Sequence, residues 1–113
     1  MKKISIGQKE IIHFVGIGGI GMSGLAQVMK NMNFKIQGSD QSKNKNTLNC
    51  TKEGIKVFIG HTKKNINNAT IIVKSSAIKD NNIEVKQAKK NKIPIYSSSE
   101  VLADVVSLKK NII

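Results

Sequence analysis

Short apolar runs alternate along the chain with segments of helical spacing. Ile11-Ile12-His13-Phe14-Val15 is continuous and rich in β-branched residues, as expected of a strand covered on both faces. From Gly19 the apolar positions Ile20, Leu25, Val28, Met29 and Met32 recur near helical spacing and stop at Asn31-Met32-Asn33, predicting a first helix. Phe34-Lys35-Ile36-Gln37-Gly38 alternates and runs into Gly38-Ser39-Asp40, which reads as a second strand followed by a turn. A helix over 44–53 then leads through Gly54, a helix-ending cap, into a third strand at Lys56-Val57-Phe58-Ile59. Residues 69–74 carry Ile71-Ile72-Val73, a buried fourth strand ending in Ser75-Ser76-Ala77. The segment 82–90 reads as a charged surface helix. In Ile93-Pro94-Ile95-Tyr96 the proline removes one ladder donor, so this fifth strand starts there or lies at an edge. A last helix is expected over 98–106, with Glu100 as its acidic start and Leu102 and Val105 on its apolar face.

Strands alternating with helices predict βαβ units feeding a parallel sheet. The expected fold is α/β, a Rossmann-like doubly wound sheet of about five mainly parallel strands with helices on both faces. A length of 113 residues suits one domain over 1–113, and no repeat or linker divides it. The closing Lys109-Lys110-Asn111-Ile112-Ile113 begins a new apolar run, an ending expected of a domain cut from something longer.

No apolar stretch approaches the roughly 20 residues needed to cross a bilayer. Met1-Lys2-Lys3 is not followed by the apolar core of a signal peptide, so a cytoplasmic protein without membrane contact is expected. The single cysteine, Cys50, rules out an intramolecular disulfide and reads as an ordinary helix residue; no metal site is expected. The net charge of +12 raises the question of nucleic acid. However, all 19 basic residues are lysine, scattered among asparagines and isoleucines, and an aromatic content of 4% leaves no stacking platform. No nucleic-acid partner is expected. What the charge does imply is a general attraction for anions, nucleotides included.

The chemistry sits in Val15-Gly16-Ile17-Gly18-Gly19-Ile20-Gly21, which contains Gly16-x-Gly18-x-x-Gly21 between a predicted strand and a predicted helix. The first glycine permits a tight turn, the second lets the backbone approach a pyrophosphate, and the third lets helix and strand pack closely. The anion would rest on free N–H groups at the helix N-terminus. Asp40, at the end of strand two, is placed to accept from a ribose or a base edge; the other reading is a turn former. The loop alone does not name the nucleotide, since NAD, FAD and UDP-sugars all carry a pyrophosphate.

The run Ile12-His13-Phe14-Val15-Gly16-Ile17-Gly18-Gly19-Ile20-Gly21-Met22-Ser23-Gly24-Leu25-Ala26 resembles the opening of the UDP-N-acetylmuramate:L-alanine ligases of the Mur ligase family. Further similar segments follow in order: Gly38-Ser39-Asp40, Ile59-Gly60-His61, Ser75-Ser76-Ala77-Ile78-Lys79, Ile93-Pro94-Ile95 and Ser99-Glu100-Val101-Leu102-Ala103. The Gly-Ile-Gly-Met-Ser-Gly portion favours the alanine-adding members over those that add later residues or a tripeptide.

This resemblance implies the UDP-N-acetylmuramate-binding N-terminal domain of a bacterial ligase of peptidoglycan synthesis, and hence of cell wall, cell shape and cell division. Its other two domains would hold ATP with Mg²⁺ and L-alanine, so that an acyl phosphate of the muramate carboxylate is attacked by the amine of alanine. That step needs a phosphate loop ending in Gly-Lys-Thr, which in the family follows soon after a segment like 109–113. Neither Gly-Lys-Thr nor Gly-Lys-Ser occurs here, so this chain alone is expected to be inactive.

Within the domain, the UDP-sugar site would include Gly16, and the backbone of Gly18, Gly19, Ile20 and Gly21 would hold the diphosphate, with Met22 and Ser23 opening the helix that faces it. Asp40 would reach the uridine. His61 would lie against uracil or ribose, or else is a surface-loop histidine. Ser75 and Ser76, at the carboxyl end of strand four, would donate to phosphate or sugar oxygens, or else cap a turn. His13 reads as a packed strand residue, and Lys74 and Lys79 as solvated cations near the same rim. The rival readings are a NAD- or FAD-binding domain of an oxidoreductase or sensor, and a stand-alone binding module.

Overall fold

Five strands, β1 (Ile11–Val15), β2 (Lys35–Asp40), β3 (Lys56–Ile59), β4 (Ile71–Lys74) and β5 (Ile95–Ser97), lie side by side in the order β3-β2-β1-β4-β5, every pair parallel. This computed structural model describes residues 6–110, with side chains to residue 107; Met1-Lys2-Lys3 and the closing residues 111–113 lie outside it. The helices are α1 (Ile20–Asn31), α2 (Lys45–Lys52), α3 (Ile83–Lys90) and α4 (Ser98–Lys110), with a 3-10 turn at Lys63–Ile66 that the sequence pattern did not predict. The expected doubly wound α/β fold is the fold observed. After β3 the chain crosses back to the far side of β1, and this reversal opens a crevice at the carboxyl ends of β1 and β4.

Period-two alternation within the strands sorts the core into two layers. Ile12, Phe14, Ile36, Ile71 and Val73 face α1, α2 and α4, meeting Met22, Leu25, Ala26, Met29, Cys50, Val101 and Val105. Burial pushes the Cys50 thiol up, against a hydrogen bond with Gln27 that lowers it. On the opposite face Val15 and Ile72 pack with Ile66, Ala69, Val85 and Ala88.

Three local expectations change. Gly38-Ser39-Asp40 is the end of β2 and not a turn, because Ser39 pairs with Phe58 and Asp40 with Ile59 across the ladder. On α4 it is Val101 that is buried, at 0% exposure beside Val105 at 2%, whereas Leu102 is 51% exposed. Ile20, counted in the apolar pattern of α1, is 89% exposed at the helix start.

The second face of β1 and β2 is closed by polar groups. Their hub is Glu84, in the first turn of α3, where the side chain of Asn82 accepts from the N–H groups of Glu84 (2.8 Å) and Val85 (3.3 Å). The helix expected to be surface therefore buries its only acid completely. Glu84 Oε1 accepts from His13 Nε2 at 2.7 Å and from the Ser39 hydroxyl at 2.6 Å. Its Oε2 accepts from Asn65 Nδ2 at 2.8 Å and from the Thr62 N–H at 3.2 Å, with His61 Nδ1 at 3.3 Å.

Gln37 completes the set, its amide nitrogen donating at 2.8 Å both to His13 Nδ1 and to the Asn65 carbonyl. A carbonyl only accepts, so it fixes which end of the Gln37 amide faces His13. Nδ1 of His13 must then accept, and the proton sits on Nε2. No buried side-chain nitrogen or oxygen among the described residues is left unpaired. Burial works against ionising Glu84, but the hydrogen bonds from His13 and Ser39, the electrostatic attraction of His13 and the hydrogen bond from Asn65 outweigh it and hold the carboxyl at about 2 in place of 4.5.

Close backbone packing falls at Gly38 and not at Gly21. A Cβ on Gly38 would lie 2.6 Å from Ile17 Cδ1 and 2.8 Å from the Phe14 carbonyl oxygen, whereas one on Gly21 would meet nothing within 4 Å. Gly38→Ala should therefore cost about 1–3 kcal/mol in urea unfolding. Gly21→Ala should be neutral or stabilise by up to about 1 kcal/mol, as alanine does in a helix.

The depressed Glu84 carboxyl makes a second prediction. A folded value below the unfolded one gives stability that is fully present above about pH 4.5 and lost as pH falls toward 2. Urea midpoints measured across that range should lose on the order of 3 kcal/mol. Glu84→Gln should flatten this acid limb.

Candidate functional site

The carboxyl ends of β1 to β4 surround an open cavity of about 300 Å³, lined by Gly16, Gly18, Gly19, Asp40, Gln41, Asn44, His61, Ser75, Ala77 and Ile78. Six predicted site residues, Gly16, Gly18, Gly19, Asp40, His61 and Ser75, are thus brought together from four loops. Ser76 is exposed and is not part of the lining. Met22 and Ser23 turn their side chains inward, at 3% and 5% exposure, and the Ser23 hydroxyl donates to the Ile20 carbonyl at 3.2 Å.

The glycine loop is pinned from β2. The N–H groups of Gly16 and Ile17 both donate to the Ser39 carbonyl at 2.9 Å. Gly16 has φ +83°, which side-chain-bearing residues rarely adopt, and a Cβ there would come within 3.0 Å of Ile78. The Gly18 N–H donates to Asp40 Oδ2 at 2.8 Å, while Asp40 Oδ1 accepts from the Gln41 N–H at 2.8 Å. Asn46 Nδ2 holds the Gly18 carbonyl at 2.9 Å. A Cβ on Gly18 would press within 2.7–2.9 Å of Asp40, Asn44 and Thr47.

Two N–H groups assigned from the sequence to a diphosphate are therefore already used inside the fold: Gly18 serves Asp40, and Gly19 donates to the Gly16 carbonyl at 3.1 Å. The first bond of α1 runs from the Ser23 N–H to the Gly19 carbonyl at 2.8 Å. The N–H groups of Ile20, Gly21 and Met22 consequently have no acceptor within the helix. Gly19 supplies no side-chain cap, and the first turn carries no acid to satisfy the positive end of the helix dipole.

His61 follows β3 through Gly60, whose N–H donates to the Asp40 carbonyl at 2.7 Å. The imidazole is mostly buried, with its side chain 10% exposed, and Nδ1 lies 3.0 Å from the Ser39 hydroxyl. On the other side of the crevice, the Ser75 carbonyl accepts from the Ile78 N–H at 3.1 Å, making the turn that carries Ala77 and Ile78 over the loop. Lys74 is drawn into the same turn, donating to the Ile78 carbonyl at 3.2 Å, while Lys79 is solvent-exposed as read from the sequence.

Sequence reasoning missed Asn44 and Glu84. Asn44 lines the cavity and caps α2, its side chain accepting from the Thr47 N–H and its own N–H donating to the Thr47 hydroxyl, both at 2.8 Å. The Asn-x-x-Thr spacing was a visible signal for this box. Glu84 gave none, since an acid among lysines reads as solvated.

Comparisons with known proteins show the family and the fold. The Mur ligase family, catalytic domain, matches residues 11–110. A UDP-N-acetylmuramate–L-alanine ligase from Pelagibacter ubique is 60% identical over 111 residues, covering 98% of this chain and 24% of that protein. One from Rickettsia bellii is 53% identical over 100 residues, covering 88% and 21%. The chain thus spans about a quarter of the length of the curated relatives it matches. Among solved structures, a UDP-N-acetylmuramate–alanine ligase from Thermotoga maritima superposes with a TM-score of 0.85 at 32% identity, over 89% of this chain and 24% of that one. A UDP-N-acetylmuramate:L-alanyl-gamma-D-glutamyl-meso-diaminopimelate ligase from Neisseria meningitides gives a TM-score of 0.73 at 26% identity, over 79% and 28%. With its matched residues taking in all five strands and all four helices, the chain belongs to the Mur ligase family.

Proposed function

We propose that this chain forms the UDP-N-acetylmuramate pocket of a cytoplasmic ligase that joins L-alanine to that sugar nucleotide in peptidoglycan synthesis. The observation that carries the reading is the open cavity at the carboxyl edge of the sheet, whose lining includes Gly18 and Gly19, the residues that lead directly into three N–H groups of α1 with no acceptor in the helix. The diphosphate rests on Ile20, Gly21 and Met22, where dipole and donors converge, and not on the occupied N–H groups of Gly18 and Gly19. Gly16, Gly18 and Gly19 shape the loop that leads to those donors. The absence of a side chain at Gly21 keeps the approach open.

From that anchor the nucleoside extends across the ends of β2 and β3. Strands about 4.8 Å apart put the end of β3 roughly 10 Å from that of β1, within reach of a nucleoside attached to the anchored diphosphate. Asp40 uses one lone pair on each oxygen inside the fold, so each retains another for a ribose hydroxyl. His61 meets the base or ribose. Ser75 lies on the opposite side, toward the sugar.

ATP and Mg²⁺, which such a ligase uses, do not fit the residues present. The chain has no Gly-Lys-Thr or Gly-Lys-Ser, and no group of three His, Cys, Asp or Glu among the described residues is placed to hold a metal. L-alanine and ATP would be bound by other parts of the ligase. No helix among the described residues is long and apolar enough to cross a membrane. The names of the relatives favour this reading over a NAD- or FAD-binding domain.

Calorimetric titration at low salt tests the proposal. UDP-N-acetylmuramate and UDP should bind and NAD should not. Gly18→Val should abolish binding by crowding Asp40, Asn44 and Thr47. Asp40→Ala should weaken it by about 1–3 kcal/mol, by freeing the glycine loop and losing an acceptor. Preference for NAD would overturn the reading.

A further inference from the structure

The protons around Glu84 can be counted, and the count decides what His61 offers the cavity. The ionised carboxylate holds no proton, so Ser39, 2.6 Å from Oε1, spends its single hydrogen there. His61 Nδ1, 3.0 Å from the same hydroxyl, can bond to it only as a donor. The second neighbour of Nδ1, Glu84 Oε2 at 3.3 Å, is also an acceptor and requires the same assignment. Nδ1 of His61 therefore carries a hydrogen, and Nε2 has no partner among the described residues. The two histidines of the chain sit on one carboxylate in opposite states: His13 bears its proton on Nε2 and His61 bears its proton on Nδ1.

We propose that Glu84 and Ser39 are positioning residues that hold His61 in its Nδ1–H form, so that Nε2 accepts a hydrogen bond from a donor group of the bound nucleotide. The donor is an imide N–H of the base or a ribose hydroxyl, and this assignment rests on the nucleotide reading above. Uracil presents an N–H at the ring position where cytosine presents a bare nitrogen, so an acceptor fixed here distinguishes the two bases. Neither Glu84 nor Ser39 lines the cavity, and both act through the imidazole. The groups facing Glu84 are His13 from β1, Ser39 from β2, and His61, the Thr62 N–H and Asn65 from the segment after β3.

Two measurements on the same protein test this. Long-range ¹H–¹⁵N NMR of the free protein near neutral pH should show His61 protonated on Nδ1 and His13 on Nε2. Titrations with UDP, CDP and 2′-deoxy-UDP should then show about a tenfold loss for the analogue that lacks the donor, CDP if it is the imide and 2′-deoxy-UDP if it is the hydroxyl. In Glu84→Gln the His61 assignment should be lost and the discrimination should fall to within about twofold, with inorganic pyrophosphate binding as in the parent.

Ser39→Ala, which leaves the carboxylate in place, should act in the same direction and replaces Glu84→Gln if that variant does not fold. His61 protonated on Nε2 in the free protein would overturn the proposal. So would binding of all three nucleotides alike, or discrimination that survives both substitutions, and each of these leaves the nucleotide reading standing. Failure of the parent protein to bind any of the three would instead remove the nucleotide reading and this proposal with it.

Discussion

A carboxylate with no exposed surface ties the functional edge of this domain together. Glu84 joins α3 to β1 through His13, to β2 through Ser39, and to the segment after β3 through His61, Thr62 and Asn65. The apolar cluster on that face takes in Val15 of β1, Ile72 of β4 and Ile95 of β5 but no residue of β2 or β3, so the polar network covers what it leaves open. A buried charge is tolerated only when its lone pairs are satisfied, and here both oxygens are. The corollary is that the elements cannot shift independently. Moving α3 or β3 would leave a bare carboxylate or an unpaired imidazole inside the protein, which costs far more than an ordinary packing adjustment.

Function follows from where this network stops. His61 is its last member toward the crevice, Ser39 belongs both to the network and, through its carbonyl, to the glycine loop, and Asp40 is the next residue along β2. One strand end therefore sets both the loop that leads into α1 and the imidazole at the far side of the cavity. The loop glycines are needed for internal reasons. Gly16 turns through a conformation that side chains disfavour, and Gly18 leaves room for the Asp40, Asn44 and Thr47 side chains that pack around it. The N–H groups without an acceptor in the helix lie further along, at the start of α1.

Much of this was legible in the sequence because it is written locally. The run 11–15, rich in β-branched residues, the glycine loop and the Gly54 cap each depend on neighbours a few residues away, and the strand–helix alternation fixed the parallel sheet. What was not legible depends on contacts distant in sequence. Gly38-Ser39-Asp40 has the composition of a turn, yet pairing with β3 keeps it extended. Glu84 looks solvated among lysines, yet it meets a histidine 71 positions away. The third glycine of the fingerprint was read as a packing residue, but the close approach falls on Gly38 of β2, a position no loop motif includes.

The central claim is that a sugar nucleotide docks across the carboxyl edge with its diphosphate on the start of α1, while the Asp40-held loop stays intact. An amide-resolved NMR titration with UDP-N-acetylmuramate tests it most directly. The account predicts the largest shifts at the N–H groups of Ile20, Gly21 and Met22, with further shifts at His61 and Ser75, and a Gly18 N–H that remains protected from exchange by Asp40 throughout. Shifts centred on the lysine-lined groove of α3 around Lys63, Lys86 and Lys90, or a Gly18 N–H that gives up Asp40 for the ligand, would contradict it.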